Sequence, residues 1–510
     1  MSTEKLEAAE NLKQSRRSFI KLSAGALGGL ALAQGALEPL AAKGAPASDA
    51  NGRKPNIVIF LGEGLRYDEL SCTGNTMIHT PNMDRIAREG MSFRNSFVTN
   101  ALCLPSRASM LTGLYSHSVN ATGNEPSGRH DGGANGPIPQ DIPLFTELLQ
   151  QAGYEVGFFG KAHIKGGLMD RHWDYYFGFN GRTDYYNPLL TEGIAGKFSE
   201  PKRYEGYLDD VVADRALAWL EQKREKPFCL LLNPFAPHAP FYRPRRYLDL
   251  FNGVKIPKPA TFDDDLKGYP GKPRAFAEAN NKIGTTWLSD DDPRTLEEVV
   301  KNHYAGVLDN DDNLGRIIEF LERSGTLDDT PIILTSDHGF FLGEWRMYDK
   351  RFMHEPSIRV PFIVRYPKLV KAGTSSDKMT LNVDIAPTVL ELAGVLVPAK
   401  MHGRSLVPLL KGEQGNEWRK DWLYEYYEYP QWEHVRPHRG VRTERYKLIH
   451  YYKLADFPDE PEEFELYDLQ KDPGELHNLY GLSGYTALTR QLMNRIAELR
   501  KETGDVPTEA

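Results

Sequence analysis

The most informative stretch of this chain is Leu102-Cys103-Leu104-Pro105-Ser106-Arg107-Ala108-Ser109-Met110-Leu111-Thr112-Gly113. Proline suits the first turn of a helix and serine suits its start, so the run predicts a helix that begins near Cys103. A lone cysteine between leucines is ordinarily a small buried apolar side chain. The stretch therefore allows two interpretations, a plain helix start or a reactive residue placed at a helix start.

On both sides of this stretch, short apolar runs alternate with helical stretches. The runs predicted as strands are residues 56–61, 155–159, 228–232, 331–335 and 361–365. The predicted helices include residues 141–153, 208–223 and 296–324. This alternation indicates an α/β fold, with a large central, mostly parallel sheet sandwiched by helices. Ligands bind beyond the carboxyl ends of such strands, where the polar residues discussed below are expected to converge.

The pattern changes near residue 415. Residues 439–452 alternate between apolar and polar, residues 464–468 resemble another strand, and residues 485–503 form an amphipathic helical pattern. This predicts a smaller C-terminal subdomain, an antiparallel sheet with a packed helix. We predict a leader at 1–47, a catalytic α/β domain at 54–414, and a subdomain at 415–510 that completes the substrate cleft.

The N-terminus predicts export rather than fold. Arg16 and Arg17 precede an apolar run over residues 22–37, and small residues follow through Ala47. This is typical of a twin-arginine signal, which predicts a periplasmic or exported protein. The twin-arginine export machinery is then an expected partner. The run is short for a transmembrane helix, so the mature protein is expected to have no membrane span.

Charge and cysteine content exclude two further classes of protein. The net charge is −8 and the isoelectric point is about 6.0, which argues against a nucleic-acid partner held by phosphate neutralisation. The three cysteines are Cys72, Cys103 and Cys229, and the last lies in a predicted buried strand. No disulfide framework is therefore expected.

The run Cys-x-Pro-Ser-Arg followed by Leu-Thr-Gly resembles the signature of the formylglycine-dependent sulfatases, a family of the alkaline phosphatase superfamily. In that family a formylglycine-generating enzyme oxidises the cysteine to an aldehyde, and the hydrated aldehyde is the nucleophile. The resemblance implies that Cys103 becomes formylglycine, and that the formylglycine-generating enzyme is a partner during maturation.

The resemblance also implies one divalent metal, held by Glu63, residue 103, Asp337 and His338. The family usually has two adjacent aspartates after the first strand, whereas this chain has Glu63-Gly64. Relatives that hydrolyse phosphonate monoesters also lack the second carboxylate and use a histidine after the later aspartate, as His338 would be. Oxygen ligands favour Ca²⁺, while an imidazole also suits Mn²⁺.

Four basic residues match further family segments, Arg107 belongs to the cysteine motif itself, and the resemblance implies a role for each of the five. Lys161 and Lys350 would bind sulfate oxygens, and Arg107 would hold the hydrated aldehyde in place. In the implied mechanism, one hydroxyl of the hydrate is made more acidic by the metal and attacks sulfur. His238 then protonates the leaving alcohol, and His163 takes the proton of the second hydroxyl as the aldehyde returns.

Two segments resemble bacterial relatives of N-acetylglucosamine-6-sulfatase, namely residues 101–109 and Asp184-Tyr185-Tyr186-Asn187. The predicted substrate is accordingly a sulfated carbohydrate, such as 6-O-sulfated N-acetylglucosamine. Residues 424–438 are rich in aromatic and charged side chains, which suit a sugar-binding cleft and a surface sheet equally well. His438 and Arg439 are the predicted sugar contacts.

Two alternatives remain at this point. The first is a phosphonate or phosphate ester hydrolase of the same fold, because His338 and the missing second carboxylate fit that variant. The second is a sulfated-glycan-binding homologue that has lost catalysis, which the unusual Glu63-Gly64 pair would permit. Kinetics on paired aryl sulfate and aryl phosphonate substrates would distinguish the phosphonate or phosphate hydrolase from a sulfatase. Metal analysis together with binding measurements would distinguish the binding-only homologue from an active enzyme.

Overall fold

The central strand of the fold is Ile57–Gly62, all six residues of which are buried. A run of apolar residues and glycine can be covered on both faces, as strands of parallel sheets are. The computed structural model describes residues 53–125, 135–264, 266, 271–284, 295–413 and 417–505. Within these residues, strands and helices alternate as the sequence predicts.

The strands are numbered along the chain. They are β1 (Ile57–Gly62), β2 (Met91–Phe93), β3 (Ser96–Phe97), β4 (Glu155–Lys161), β5 (Tyr175–Phe179), β6 (Leu189–Ile194), β7 (Lys197–Phe198), β8 (Lys202–Arg203), β9 (Phe228–Asn233), β10 (Ile332–Ser336), β11 (Phe341–Leu342), β12 (Tyr348–Asp349), β13 (Ile363–Arg365), β14 (Thr374–Ser376), β15 (Thr380–Leu381), β16 (Asp421–Tyr426), β17 (His438–Thr443), β18 (Tyr446–Tyr451) and β19 (Glu463–Asp468).

The helices are numbered in the same way. Those of the described residues are α1 (Pro81–Glu89), α2 (Cys103–Thr112), α3 (Phe145–Gln151), α4 (Leu208–Leu220), α5 (Arg274–Glu278), α6 (Leu296–Arg323), α7 (Glu355–Ile358), α8 (Ile385–Leu392), α9 (Val407–Leu410) and α10 (Thr486–Thr503). The three predicted long helices correspond to α3, α4 and α6. The predicted C-terminal helix corresponds to α10.

The large sheet has the order β14-β2-β13-β10-β1-β9-β4-β5-β6-β7, with β8 paired to β6. Its central strands β10, β1, β9, β4 and β5 are mutually parallel, which confirms the predicted mostly parallel sheet. Residues 361–365 were expected among the alternating strands, but β13 runs antiparallel to β10. The chain stays at the carboxyl end of β10, forms the β11–β12 hairpin and α7 there, and so enters β13 from that end.

Helices cover both faces of the sheet because alternate side chains of β1 enter different cores. Ile57, Ile59 and Leu61 join a core with residues of α2, α3 and α8. Val58 and Phe60 join a core with residues of α1, α4 and α6. The helices therefore sandwich the sheet, as predicted.

Four predicted site residues reach the same edge of the sheet. Glu63 directly follows β1, Asp337 directly follows β10, Lys161 ends β4, and His238 lies shortly after β9. These four strands are adjacent in the order β10-β1-β9-β4, and their carboxyl ends meet. The site is therefore assembled by strand order, as open parallel sheets allow.

The C-terminal region forms a separate antiparallel sheet in the order β16-β17-β18-β19. Helix α10 contributes Leu492, Ile496 and Leu499 to the core of this sheet. The same core contains Phe352 and Met353, which follow Lys350 in the chain. The sheet thus packs against the segment that carries one of the predicted sulfate-binding lysines.

Two predicted boundaries lie outside the described residues, namely the leader at 1–47 and the division at 414–415. Over the residues that the structure does describe, no helix is both long enough and apolar enough to cross a bilayer. The cysteines Cys72, Cys103 and Cys229 are all unpaired.

Candidate active site

Residue 103 opens helix α2, which places its side chain at the positive end of the helix. Leu102 is extended, with φ −144° and ψ 137°, and Gly113 ends the helix with a φ of 70°. Oδ1 of Asn124 accepts the N–H of Leu104 at 3.1 Å, which satisfies one of the free donors of the first turn. Free N–H groups and the helix dipole favour negative charge at this position.

The structure brings together the four residues predicted to hold a metal. Ligand atoms of Glu63, Cys103, Asp337 and His338 all lie within 4.8 Å of one another, and all four residues are buried. Sγ of Cys103 lies 3.3 Å from Oε1 of Glu63 and 3.3 Å from Nε2 of His338. Nδ1 of His338 is 2.8 Å from the carbonyl oxygen of Gly339, an arrangement that turns Nε2 toward the group.

The charges of this group fit a divalent cation. Burial, and then the Glu63 carboxylate, raises the pKa of Asp337 to about 6. Burial and Lys350 lower the pKa of His338, but Asp337 and Cys103 outweigh them and raise it to about 10. Two buried carboxylates thus attract a proton into the group, and a cation with oxygen and imidazole ligands would satisfy the same need.

Arg107 contacts the two carboxylates. Its Nε donates to Oδ2 of Asp337 at 2.9 Å, and its Nη2 donates to Oε2 of Glu63 at 2.8 Å. Its Nη1 donates to the carbonyl oxygen of Lys161 at 2.9 Å. Arg107 therefore orients the ligand carboxylates, and its predicted hold on the hydrated aldehyde stays a prediction.

Lys161 is completely buried beside the same carboxylate, with Nζ 2.9 Å from Oε2 of Glu63. The preceding Gly160 has a φ of +99°, and a Cβ there would lie 1.9 Å from the carbonyl oxygen of Asn233 on the neighbouring strand β9. Only glycine allows this close approach, since it has no side chain and tolerates positive φ. The glycine thus brings the end of β4 against β9 and sets where Lys161 emerges.

Lys350 enters from the loop after β12, with Nζ 3.0 Å from Oδ1 of Asp349. Burial and the Glu63 carboxylate raise the pKa of the Cys103 thiol, but Lys161, Lys350 and His338 bring it well below its usual value. Sγ marks the position that an oxygen of the modified residue would occupy. Negative charge that develops at this position is therefore stabilised by surrounding cations.

His163 and His238 flank position 103. The His163 side chain interacts with that of Cys103, and burial lowers its pKa. Nδ1 of His238 is 2.6 Å from the carbonyl oxygen of Ala239, so Nε2 faces the site, 3.8 Å from Oε1 of Glu63. Burial, and then Lys161 and Lys350, lowers the pKa of His238 to about 4.

One cleft of about 470 Å³ opens over these groups. Lys161, His163, His238 and Lys350 line it together with residues that the sequence did not single out. Those from the C-terminal region are Glu428, Gln431, Trp432 and Glu433, and Trp432 is 40% exposed. The aromatic and charged pattern of residues 424–438 was the one signal in the sequence that pointed to this wall.

The structure does not place His438 or Arg439 in this cleft. The His438 ring is completely buried and lies 4.9 Å from that of Tyr451 and 5.5 Å from that of Tyr424. Arg439 lies 3.8 Å from the ring centre of Tyr452, and neither residue lines the cleft. The prediction that these two residues contact the sugar in this cleft is therefore corrected. Neither lines the cleft, and His438 has no exposed surface to offer a ligand.

Gly64 stands where the family resemblance implies a second aspartate, and its backbone lies in the left-handed region beside His338. Gly64 has a φ of +66°, and a Cβ there would lie 3.4 Å from Cε1 of His338 and 3.3 Å from Phe340. The N–H of Gly64 donates to Oδ1 of Asp337 at 3.1 Å. A Cβ at position 64 would therefore lie at ordinary contact distance from the His338 ring, and the left-handed backbone is the main obstacle to a side chain there.

Gly64→Asp is therefore expected to weaken metal binding, although it adds a carboxylate. The left-handed backbone costs about 1 kcal/mol for a non-glycine residue. A backbone shift that relieves this strain would move the N–H that donates to Oδ1 of the candidate ligand Asp337. Bound metal, measured by mass spectrometry, should therefore fall. Gly74→Asp, at a φ of +113° with open space around it, is the matched control for backbone strain. Unchanged metal content in Gly64→Asp alone would contradict this explanation.

Comparison with known protein families gives two matches. The pattern of the family Sulfatase matches residues 55–395. The pattern described as N-sulphoglucosamine sulphohydrolase, C-terminal, matches residues 343–502. Together they span the large sheet and the C-terminal sheet.

Individual relatives agree with these matches. N-acetylglucosamine-6-O-sulfatase of Bacteroides thetaiotaomicron is 37% identical, over 89% of this chain and 87% of that protein. Human N-acetylglucosamine-6-sulfatase is 31% identical, over 74% of this chain and 68% of that protein. A solved structure in complex with its substrate D-glucosamine-2-N,6-O-disulfate has a TM-score of 0.80 and 34% identity, covering 90% of this chain and 100% of that one.

Proposed function

This chain belongs to the sulfatase family and is a sulfuric ester hydrolase, and from that premise we propose that it removes the 6-O-sulfate of N-acetylglucosamine-type sugars. The observation that carries the proposal is the convergence of cations on position 103. Lys161, Lys350 and the other three candidate metal ligands surround that position beneath the cleft. An anionic ester would enter this cleft with its sulfate group toward the buried cations.

Glu63, Asp337 and His338 would hold the metal beside residue 103, and Arg107 keeps both carboxylates in place. We propose Ca²⁺ first, because carboxylate oxygens dominate the ligand set, and Mn²⁺ second, because His338 adds an imidazole. When bound, the metal supplies positive charge that acidifies a neighbouring hydroxyl and polarises the ester.

Residue 103 is proposed to act as formylglycine, made from Cys103 by a formylglycine-generating enzyme. The hydrated aldehyde supplies two hydroxyls on one carbon, so that one can attack and the other can restore the aldehyde. A serine at this position has only one hydroxyl and lacks that second step.

The remaining residues handle charge and protons. Lys161 and Lys350 bind sulfate oxygens and offset the charge that spreads over them during transfer. Burial lowers the pKa of His163, so this ring is neutral near pH 7 and can take a proton from residue 103. Burial, and then Lys161 and Lys350, lowers the pKa of His238, and the single negative charge of a bound sulfate ester partly offsets the two lysine charges. Substrate binding therefore favours a proton on Nε2 of His238, which passes to the leaving oxygen.

The sugar specificity rests on the wall of the cleft and on the relatives. Trp432 offers a partly exposed ring beside Gln431 and Glu433, a combination of flat apolar surface and hydrogen-bonding groups that suits a pyranose. The relatives named above act on N-acetylglucosamine 6-sulfate, or bind a 6-O-sulfated glucosamine, by their own descriptions. A sulfated carbohydrate is the substrate class that both observations support.

One feature favours a second candidate, a phosphonate or phosphate ester hydrolase. His338 fills the space beside Gly64, as the family variant for phosphonate monoesters would require. A binding-only homologue is less well supported, since all four candidate metal ligands are present and close together.

A substrate panel tests the proposal, using enzyme that has been co-expressed with a formylglycine-generating enzyme. N-acetylglucosamine 6-sulfate should be hydrolysed with a kcat/KM at least about 100-fold above that of its 3-sulfate isomer and that of galactose 6-sulfate. Sites that hydrogen-bond their substrate strongly reject sugars whose polar groups do not match. An aryl sulfate should likewise exceed its matched aryl phosphonate. Equal rates on the sugar isomers would overturn the sugar assignment, and a preference for the phosphonate would favour the second candidate.

We further propose that the leader at 1–47 directs the folded enzyme to the periplasm through the twin-arginine machinery. Arg16-Arg17 and the apolar run after them support this proposal. Replacing both arginines with lysine should retain the enzyme in the cytoplasm, as cell fractionation would report.

A further inference from the structure

The loop that carries His238 is held by a buried carboxylate from helix α4. Oδ1 of Asp209 accepts the N–H of Phe235 at 2.8 Å, and Oδ2 accepts the N–H of Ala236 at 2.7 Å. Asp209 lies in the first turn of α4 and is only 2% exposed. Both oxygens of the carboxylate are therefore used to hold two consecutive backbone groups of this loop.

Burying this carboxylate carries a cost that the loop itself offsets. Burial raises the pKa of Asp209 to about 7, and the bonds from Phe235 and Ala236 oppose that rise. Among the described residues no lysine or arginine forms an ion pair with Asp209. A buried charge without partners is expensive, so the two backbone donors are what makes the buried carboxylate tolerable.

A second buried group holds the same loop from the opposite end. The hydroxyl of Tyr185 donates to the carbonyl oxygen of His238 at 2.5 Å. The Tyr185 ring lies 5.0 Å from that of Phe235, which in turn stacks on the His238 ring at 4.9 Å with an angle of 17°. The imidazole is thereby fixed through its own carbonyl and through the ring on which it rests.

We propose that Asp209 and Tyr185 are positioning residues that act through the Phe235–Ala239 loop to hold Nε2 of His238 beside the leaving oxygen. This inference rests on the general-acid role of His238 in the proposed function. In that step a hydroxyl oxygen of the hydrated residue 103 forms a bond to sulfur while the bond between sulfur and the leaving oxygen breaks. The electron pair of the broken bond stays on the leaving oxygen, and the proton of Nε2 moves to that oxygen. A small displacement of the ring lengthens this proton transfer and slows it.

Neither Asp209 nor Tyr185 lines the cleft, so their effect should disappear when His238 can no longer donate a proton. This separates a positioning role from a general structural one. A residue that merely stabilises the fold would slow the enzyme by the same factor whether or not His238 is present. A double-mutant cycle measures the difference.

The experiment measures kcat on N-acetylglucosamine 6-sulfate for the matured, metal-loaded enzyme and its variants. His238→Gln should lower kcat by about 100-fold, the scale of general-acid catalysis. Asp209→Asn keeps the shape of the side chain but replaces one acceptor by a donor that faces an N–H. It should lower kcat about 10-fold in the native background and no more than about 2-fold in the His238→Gln background. Asp214→Asn, an exposed carboxylate on the same helix, is the control and should leave kcat unchanged.

Tyr185→Phe provides a second and milder variant, because it removes only the hydroxyl and keeps the stacked ring. Its effect on kcat should likewise vanish in the His238→Gln background. If Asp209→Asn does not fold, Tyr185→Phe alone tests the positioning role. Equal losses in both backgrounds, or no loss for either variant, would overturn the inference. A His238→Gln enzyme as fast as the native enzyme would overturn the general-acid role instead, which distinguishes the two failures.

Discussion

Cys103→Ala is expected to abolish turnover of sulfate esters while the protein stays folded. Alanine cannot become formylglycine, and the loss of a catalytic nucleophile lowers kcat by about 10⁴- to 10⁶-fold. The thiol is completely buried, but Cys103→Ala removes only one heavy atom, so it lowers the free energy of unfolding by only about 1 kcal/mol. Sulfate release and urea unfolding, measured on the same preparation, would check both parts of the expectation.

Cys72→Ala is the matched control, because Cys72 is an exposed, unpaired cysteine away from the cleft. It should retain full activity. Mass spectrometry of the peptide containing residue 103 should also show the loss that accompanies conversion of a thiol to an aldehyde. Substantial turnover by purified Cys103→Ala would refute the nucleophile, and an intact thiol in fully active enzyme would refute formylglycine.

Glu63→Gln is expected to remove both the metal and much of the stability of the fold. Oε2 of Glu63 lies 2.8 Å from Arg107 and 2.9 Å from Lys161, and all three side chains are at most 2% exposed. Glutamine leaves these two cations without that charge, and breaking a buried ion pair costs about 3–5 kcal/mol. Metal content and the urea midpoint should therefore both fall, and turnover should be lost.

Glu69→Gln separates the two effects. Glu69 is also 1% exposed and follows the same strand, but it pairs with His303 and is not among the candidate metal ligands. This variant should lose stability and keep its metal. Glu63→Gln with a full complement of bound metal would show that Glu63 is not a ligand.

The convergence of the site was predictable because it depends on strand order rather than on detailed packing. Glu63, Lys161 and Asp337 each end or follow a run of buried β-branched and aromatic residues. In a parallel sheet such positions share one edge whatever the connections between them. The ligand group and the lysines could therefore be chosen from motifs and their places after strands.

The wall of the cleft could not be predicted in the same way. Residues 439–452 alternate as strands should, but alternation does not reveal which face meets the cleft and which meets the core. His438 turned out to face the aromatic core, while the cleft received Gln431 to Glu433 from the loop before the strand. A histidine in a sequence has no mark that distinguishes a buried ring from a sugar contact.

The role of Arg107 shows the same division within the site itself. Its presence beside position 103 follows from the motif, but its partners are two carboxylates that lie 44 and 230 residues away in the chain. Such long-range hydrogen bonds depend on how strands β1 and β10 are placed around helix α2. The hydrogen bonds from the His238 loop to Asp209 are also long-range, since they depend on how helix α4 packs against the end of β9.

Short local motifs in the sequence determine the chemistry of this protein. A cysteine motif, a few lysines and histidines, and apolar runs of strand length specify the family, the reaction and the edge of the sheet where it occurs, because each depends on neighbours along the chain. Folding settles the partners of each charge and the face that each side chain presents, since those depend on burial and on contacts between distant segments. For that reason Gly64 could be recognised from the sequence as a departure, but only the structure showed its left-handed backbone beside the His338 ring.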